Sequence, residues 1–140
     1  MEKTFVLFKP DCMQKPGVLG KVMTRFEEAG LRLIALKMVR LDDGILQVHY
    51  AHHAQKPFFP ELREFMKETP VVLSVWEGDN AIQKVRDLAG PTDSKKAAKG
   101  TIRGDFGTDV QRNIVHASDS PESAEAEIKR FFSEKELCEW

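Results

Sequence analysis

His116 closes a short apolar run, Ile114-Val115, directly before Ala117-Ser118-Asp119-Ser120. That setting places an imidazole at a strand edge facing the N-terminus of the next helix, where backbone N–H groups point outward and anions are favoured. Glu127 falls on the flank of the apolar stripe Ala124, Ile128, Phe131. A carboxylate beside such a stripe needs a partner, and a histidine ring nitrogen can serve. A histidine oriented through one nitrogen, with the other free, has the geometry of a nucleophile or general base. A core histidine satisfied by backbone is the competing account, and these residues alone leave the two open.

Other chemistry is less well supported. His49, His52 and His53 fall together in HYAHH, and His49 and His53 stand in the i, i+4 relation that can ligate zinc. A metalloprotease helix carries a glutamate after its first histidine, where this chain has Tyr50, and no cysteine or distant third ligand joins the pair. They are read as surface histidines on a half-polar helix, and no metal ligand is assigned. Ser118 and Ser120 lack the Gly-x-Ser-x-Gly elbow of a hydrolase and are read as a turn and a helix cap. The absence of a Gly-x4-Gly-Lys-Ser/Thr loop excludes an ordinary P-loop nucleotidase. Gly100, Gly104 and Gly107 bracket Arg103 at a spacing unlike a dinucleotide fingerprint.

The elements that must position these groups alternate along the chain. Thr4–Lys9 reads as a buried strand stopped by Pro10. Gly17–Ala29 carries a helical period closed by Gly30, and Leu31–Arg40 is a second strand ended by Asp42-Asp43-Gly44. Ile45–Ala51 is read as helical, and Phe58, Leu62, Phe65 and Met66 mark another short helix entered through Pro57. Val71–Trp76 is β-prone, and Asp79 or Asn80 can cap a helix with the stripe Ala81, Ile82, Val85, Leu88, Ala89. Gly90–Gly107 reads as a long polar loop without a stable period, of a length that is more often functional than idle. Asn113–His116 is the last strand, and Ser120-Pro121 opens the last helix. Strands interleaved with helices, with the sheet covered on one face, point to an α+β sandwich of the split βαβ type.

Composition bounds the answer. The 140 residues carry 21 Lys+Arg against 22 Asp+Glu, with 41% apolar and 31% charged residues, which describes one globular domain, 1–140, and excludes wholesale disorder. No apolar run reaches membrane-spanning length, the N-terminus lacks signal-peptide character, and two distant cysteines fit reduced thiols in the cytoplasm. Charge is uneven. Gly90–Gly104 holds Lys95, Lys96, Lys99 and Arg103 against Asp93 alone, so either a local anion site or a solvated lysine-rich loop lies there.

Asn113-Ile114-Val115-His116-Ala117-Ser118-Asp119-Ser120 closely resembles the active-site signature of the nucleoside diphosphate kinases, Asn-x-x-His-x-Ser-Asp-Ser. TFVLFKPD at Thr4–Asp11, Pro57-Phe58-Phe59, PVVLSVWEG at Pro70–Gly78 and GTIRGDFG at Gly100–Gly107 resemble the family's other landmarks, in its order, from about Thr4 to Leu137. The resemblance implies a ferredoxin-like α+β sandwich with an antiparallel four-stranded sheet covered by helices. It implies a ping-pong phosphotransfer in which His116, as neutral imidazole, attacks through Nδ1 and carries the phosphoryl group between two nucleotides.

By the same resemblance Glu127, Ser118 and Tyr50 support the catalytic ring, and Lys9, Arg86, Arg103 and Thr92 hold phosphates. Asn113 touches the sugar, Phe58 stacks on the base, and Leu62 lies beside it. Mg²⁺ is expected on the triphosphate, no dedicated metal cage is expected, and a cytoplasmic homo-oligomer, hexamer or tetramer, is implied. No membrane or nucleic acid partner is required. The chain departs from the family pattern in the longer turn Cys12–Gly17, at Asp93-Ser94, where Asn-Pro is usual, and at Lys99, where proline is usual. The changes at Asp93-Ser94 and Lys99 fall in the loop that often makes subunit contacts. The alternative class is a ferredoxin-like module that binds nucleotides or single-stranded nucleic acid without turnover. His116 with Glu127 discriminates the two, because binding alone does not require that pair.

Overall fold

The computed structural model describes residues 1–140. Four strands, β1 (Glu2–Phe8), β2 (Arg32–Val39), β3 (Val71–Gly78) and β4 (Val115–Ala117), form one sheet in the order β2-β3-β1-β4. Every neighbouring pair is antiparallel. Seven helices connect them: α1 (Pro10–Met13), α2 (Val18–Glu28), α3 (Asp43–His49), α4 (Phe59–Met66), α5 (Ala81–Ala89), α6 (Ile102–Phe106) and α7 (Pro121–Phe131). This is the expected ferredoxin-like α+β sandwich.

The sheet is covered on both faces, not one. Phe5, Val6, Leu7 and Phe8 are all fully buried, and successive side chains on a strand point to opposite faces. Phe5 and Leu7 join one core with Leu46 of α3, Phe59, Phe65 and Met66 of α4, and Phe131 of α7. Val6 and Phe8 join the other with Val22 and Phe26 of α2 and Val85 and Ala89 of α5. An unbroken apolar run is what a strand between two helical layers requires, since neither face meets water. Burial of each such side chain contributes about 1.5–3 kcal/mol.

Local chemistry fixes the element ends, sometimes differently from expectation. Asn80 occupies the N-cap of α5 in a left-handed conformation, φ 55°, with no side-chain cap bond. Glu2 caps the helix instead from the start of β1, its carboxylate accepting from the Ile82 N–H at 2.9 Å. The proline in the first turn of α4 is Pro60 rather than Pro57. Gly90–Gly107 is not all loop: it folds into a 3₁₀ turn at Ser94–Lys96 and into α6, whose N-cap Thr101 accepts from the Gly104 N–H. A Cβ on Gly104 would run into the Ala98 carbonyl, so the segment closes tightly only with glycine there. β4 begins at Val115, because Ile114 lies at φ 75° and cannot continue a strand.

Phe5 stacks on Phe131 with ring centroids 5.0 Å apart and nearly parallel planes, tying β1 to α7. Phe5→Ala leaves a cavity at this junction and is expected to cost about 3–5 kcal/mol of stability, read as a lower midpoint in urea unfolding.

Candidate active site

His116 sits in edge strand β4, paired with Leu7 of β1. Its Nε2 lies 2.9 Å from Glu127 Oε2, delivered by α7, and the Ser118 hydroxyl donates to the other oxygen of Glu127 at 2.6 Å. Burial alone would raise the Glu127 carboxyl, but hydrogen bonding and charge from His116, with the Ser118 bond, outweigh it and hold the group below its ordinary range. An ionised carboxylate only accepts, so neutral His116 carries its proton on Nε2 and presents a lone pair at Nδ1.

The ring faces a cavity of about 840 Å³. Lys9 stands at the end of β1, and its ammonium donates to Asn113 Oδ1 at 2.7 Å and to the Gln111 carbonyl at 3.2 Å. Burial, reinforced by the charge of Arg103, lowers the Lys9 amine to about 8. Arg103, on α6, is itself lowered to about 10 by burial and then by Arg86. Arg86 projects from α5 into the same cavity. Three cations share one cavity, and Asp119 is the sole carboxylate that lines it. Such a space is stabilised by a ligand with several negative charges.

Arg103 is bound more tightly to the protein than a free clamp would be. Its Nε, Nη1 and Nη2 donate to the carbonyls of Asn113, Gly90 and Val115 at 3.2, 2.9 and 2.8 Å. It therefore holds the entry to β4 as well as charging the cavity. Asn113 is structural too, since its buried side chain accepts from Lys9 and donates to the carbonyls of Thr92 and Val110. Thr92 lines the cavity beside it.

At the mouth, Phe58 is 45% exposed and Leu62 lies buried beneath. The His53 ring meets Phe58 edge to face at 5.2 Å. Tyr50 lines the cavity with a buried, unpartnered hydroxyl whose ionisation burial pushes upward. The expected site residues thus converge: nine line the cavity, while Ser118 and Glu127 stand behind His116.

The reading of the HYAHH histidines as surface groups holds for exposed His52, while His53 is half-buried and His49 overturns it. His49 is 5% exposed, and its ring meets that of His116 edge to face with centroids 4.7 Å apart. Burial, then the neighbouring charge of His116, drives it down to about 3, so it is neutral. Arg130 of α7 donates to its Nδ1 at 2.9 Å. The signal was available, since Leu46 and His49 occupy one face of α3 at a spacing of three residues. Arg130 gave none, because its partner is distant in sequence.

The family profile for nucleoside diphosphate kinase matches residues 2–137. The chain belongs to the nucleoside diphosphate kinase family. It is 54% identical over 140 residues to a nucleoside diphosphate kinase of Parabacteroides distasonis, covering all of this chain and 91% of the relative. A mitochondrial nucleoside diphosphate kinase of Columba livia is 49% identical, over 99% of this chain and 76% of its own length. The structure of a halophilic nucleoside diphosphate kinase from Halobacterium salinarum in complex with CDP superposes with a TM-score of 0.95. It is 45% identical, across 99% of this chain and 92% of that one. The chain is therefore a phosphotransferase that moves the γ-phosphoryl group of a nucleoside triphosphate to a nucleoside diphosphate. It follows the ping-pong phosphohistidine mechanism general to the family.

Because the folded Glu127 carboxyl lies below the ordinary glutamate value of 4.5, its contribution to stability is fully present above that value. The contribution is lost as pH falls through the folded value. Glu127→Gln is expected to flatten that part of the acid limb when urea midpoints of the two proteins are compared against pH.

Proposed function

We propose that His116 is the phosphoryl carrier, and the observation that carries this reading is its Nε2 bond to Glu127 beside the cation-lined cavity. The Nδ1 lone pair attacks the γ-phosphorus of the triphosphate. The bond from that phosphorus to the bridging oxygen breaks, its electron pair leaves with the nucleoside diphosphate, and a P–Nδ1 bond forms. No proton need move, since Nε2 keeps its own, and the positive charge that develops on the ring is met by the Glu127 carboxylate. A second nucleoside diphosphate reverses the step.

Ser118 fixes Glu127, and Tyr50 supports the catalytic ring and Lys9 from the cavity wall. Lys9, Arg86, Arg103 and Thr92 hold the phosphates and the charge that shifts between them. Asn113 meets the sugar from its place between Lys9 and Thr92. Phe58, over Leu62, offers an aromatic face to the base, and stacking of this kind tolerates purines and pyrimidines alike. Mg²⁺ fits as a passenger on the phosphate oxygens, because Asp119 alone cannot cage a hard cation. When bound it neutralises part of the charge of the transferring group.

The 140 residues act as one catalytic domain, and no helix is long and apolar enough to cross a membrane. We place the enzyme in the cytoplasm. It works as a homo-oligomer, hexamer or tetramer, and the exposed Leu36 and Met38 of edge strand β2 support association of copies.

Incubation with γ-³²P-labelled ATP and magnesium is expected to give an alkali-stable, acid-labile band that GDP discharges into labelled GTP. His116→Ala should abolish it, and persistent labelling in that variant would move the nucleophile elsewhere. Lys9→Ala and Arg103→Ala should each lose about 2–4 kcal/mol of transition-state stabilisation, measured as kcat/KM. A loss below about tenfold would mean that the phosphate clamp is misassigned.

A further inference from the structure

His49 is buried beside the nucleophile, yet no step of the phosphotransfer uses it. Its Nδ1 lies 2.9 Å from Arg130 Nη1. A guanidinium has only donors, so Nδ1 accepts. A ring that keeps a lone pair on Nδ1 is neutral and must carry its one proton on Nε2. That Nε2 is buried and has no hydrogen-bond partner.

The surroundings give this proton a consequence. One ring nitrogen from His49, one from His116 and a Glu127 oxygen lie within 4.8 Å of one another. Two imidazoles and a carboxylate form a donor set suited to zinc, and nucleotide substrates travel with divalent cations. With its Nδ1 taken by Arg130, His49 has only Nε2 left to offer such a set, and a proton there withholds that ligand.

We propose that Arg130 locks His49 in its Nε2–H tautomer and thereby keeps transition-metal ions off His116. Metal binding at Nε2 would require the proton to leave or to move to Nδ1. On Nδ1 it would face the Arg130 N–H, donor against donor, with a second cation arriving beside the guanidinium. Mg²⁺, which prefers oxygen ligands and keeps its waters, is untouched by the lock. His49 is a positioning residue in this scheme, and Arg130 sets which nitrogen bears its proton, as partners outside a metal site commonly do. The functional meaning of the lock rests on His116 being the carrier; the tautomer itself rests on the Arg130 contact alone.

Equilibrium dialysis of the full chain against ZnCl₂, followed by metal analysis, tests the lock in wild type, Arg130→Lys, Arg130→Gln and Arg130→Gln/His49→Phe. Exposed His52, half-buried His53 and exposed Cys138 give a background common to all four. The Gln amide oxygen can accept from Nδ1–H and so frees the Nε2 lone pair. Arg130→Gln is expected to bind zinc about tenfold or more tighter than wild type, Arg130→Lys to match wild type, and the double variant to lose the gain. Zinc should block phosphoenzyme labelling in Arg130→Gln, and a zinc-selective chelator should restore it. Equal zinc affinity in Arg130→Gln and wild type, or a gain that survives without His49, overturns the proposal. ¹⁵N spectra of the wild-type histidine rings need no variant: His49 should show a bare Nδ1 and a protonated Nε2, and a proton on Nδ1 refutes the lock. Failure of wild-type labelling would instead remove His116 as carrier while leaving the tautomer result intact.

Discussion

A carboxylate taken out of water is tolerable only while its lone pairs find donors, and Glu127, 9% exposed, meets that condition through His116 and Ser118 alone. The requirement binds three parts of the chain. Ser118 is held by the β1 backbone, where its N–H donates to the Phe5 carbonyl at 3.1 Å. His116 is set by the β4 register against Leu7. Glu127 is set by α7, which is anchored by Phe131 stacked on Phe5. One fully buried phenylalanine therefore fixes the distance between the nucleophile and the group that orients it.

Across the cavity the constraint is reversed: cations are gathered with too few anions to satisfy them. Lys9 and Arg103 are both lowered by burial and by neighbouring positive charge, so the folded chain bears a standing electrostatic cost at the site. Hydrogen bonds to neutral acceptors, Asn113 Oδ1 and the carbonyls of Gly90, Asn113 and Val115, hold these groups in place without cancelling their charge. Two opposed electrostatic regions therefore meet at His116: an anion behind the ring and cations in front of it. A phosphoryl group moving onto Nδ1 is held by the cations on its oxygens and by Glu127 through the ring.

Much of this was legible in the sequence, and the misses have physical causes. The central run of β1, the stripe of α2 and the Ser120-Pro121 entry to α7 follow from periodicity and capping, and each forms close to its expected bounds. The second helical layer has its sequence signal in Phe5–Phe8, an apolar run that never alternates with polar residues. α6 has no such signal, because five residues of helix around Gly104 carry no apolar stripe, only the Thr101 cap. Within the site, His116 and Glu127 were findable from local setting, while Lys9, Arg86 and Arg103 could be named only through family resemblance. They come from the end of β1 and from two separate helices, α5 and α6, and no sequence periodicity connects them. His49 has the polarity of a surface residue, yet it shares the buried face of α3 with Leu46.

The entry to β4 shows how the site's geometry is held against backbone preference. Ile114, β-branched, lies at φ 75°, and the Val115 N–H reaches back to the Asn113 carbonyl at 2.9 Å, closing a three-residue γ-turn. Such a conformation costs about 1–3 kcal/mol and persists only where its surroundings over-determine it. Here they do. Asp11, buried, accepts from the Ile114 N–H at 2.9 Å, and the Lys9 N–H donates to the Ile114 carbonyl at 2.9 Å. On a straight strand residues three apart point to opposite faces, whereas here Asn113, bonded to the carbonyls of Thr92 and Val110, and His116, bonded to Glu127, both line the one cavity. The strain at Ile114 is thus the geometric link between the cation cluster and the nucleophile, and the turn after β1 supplies both Lys9 and the groups that hold it.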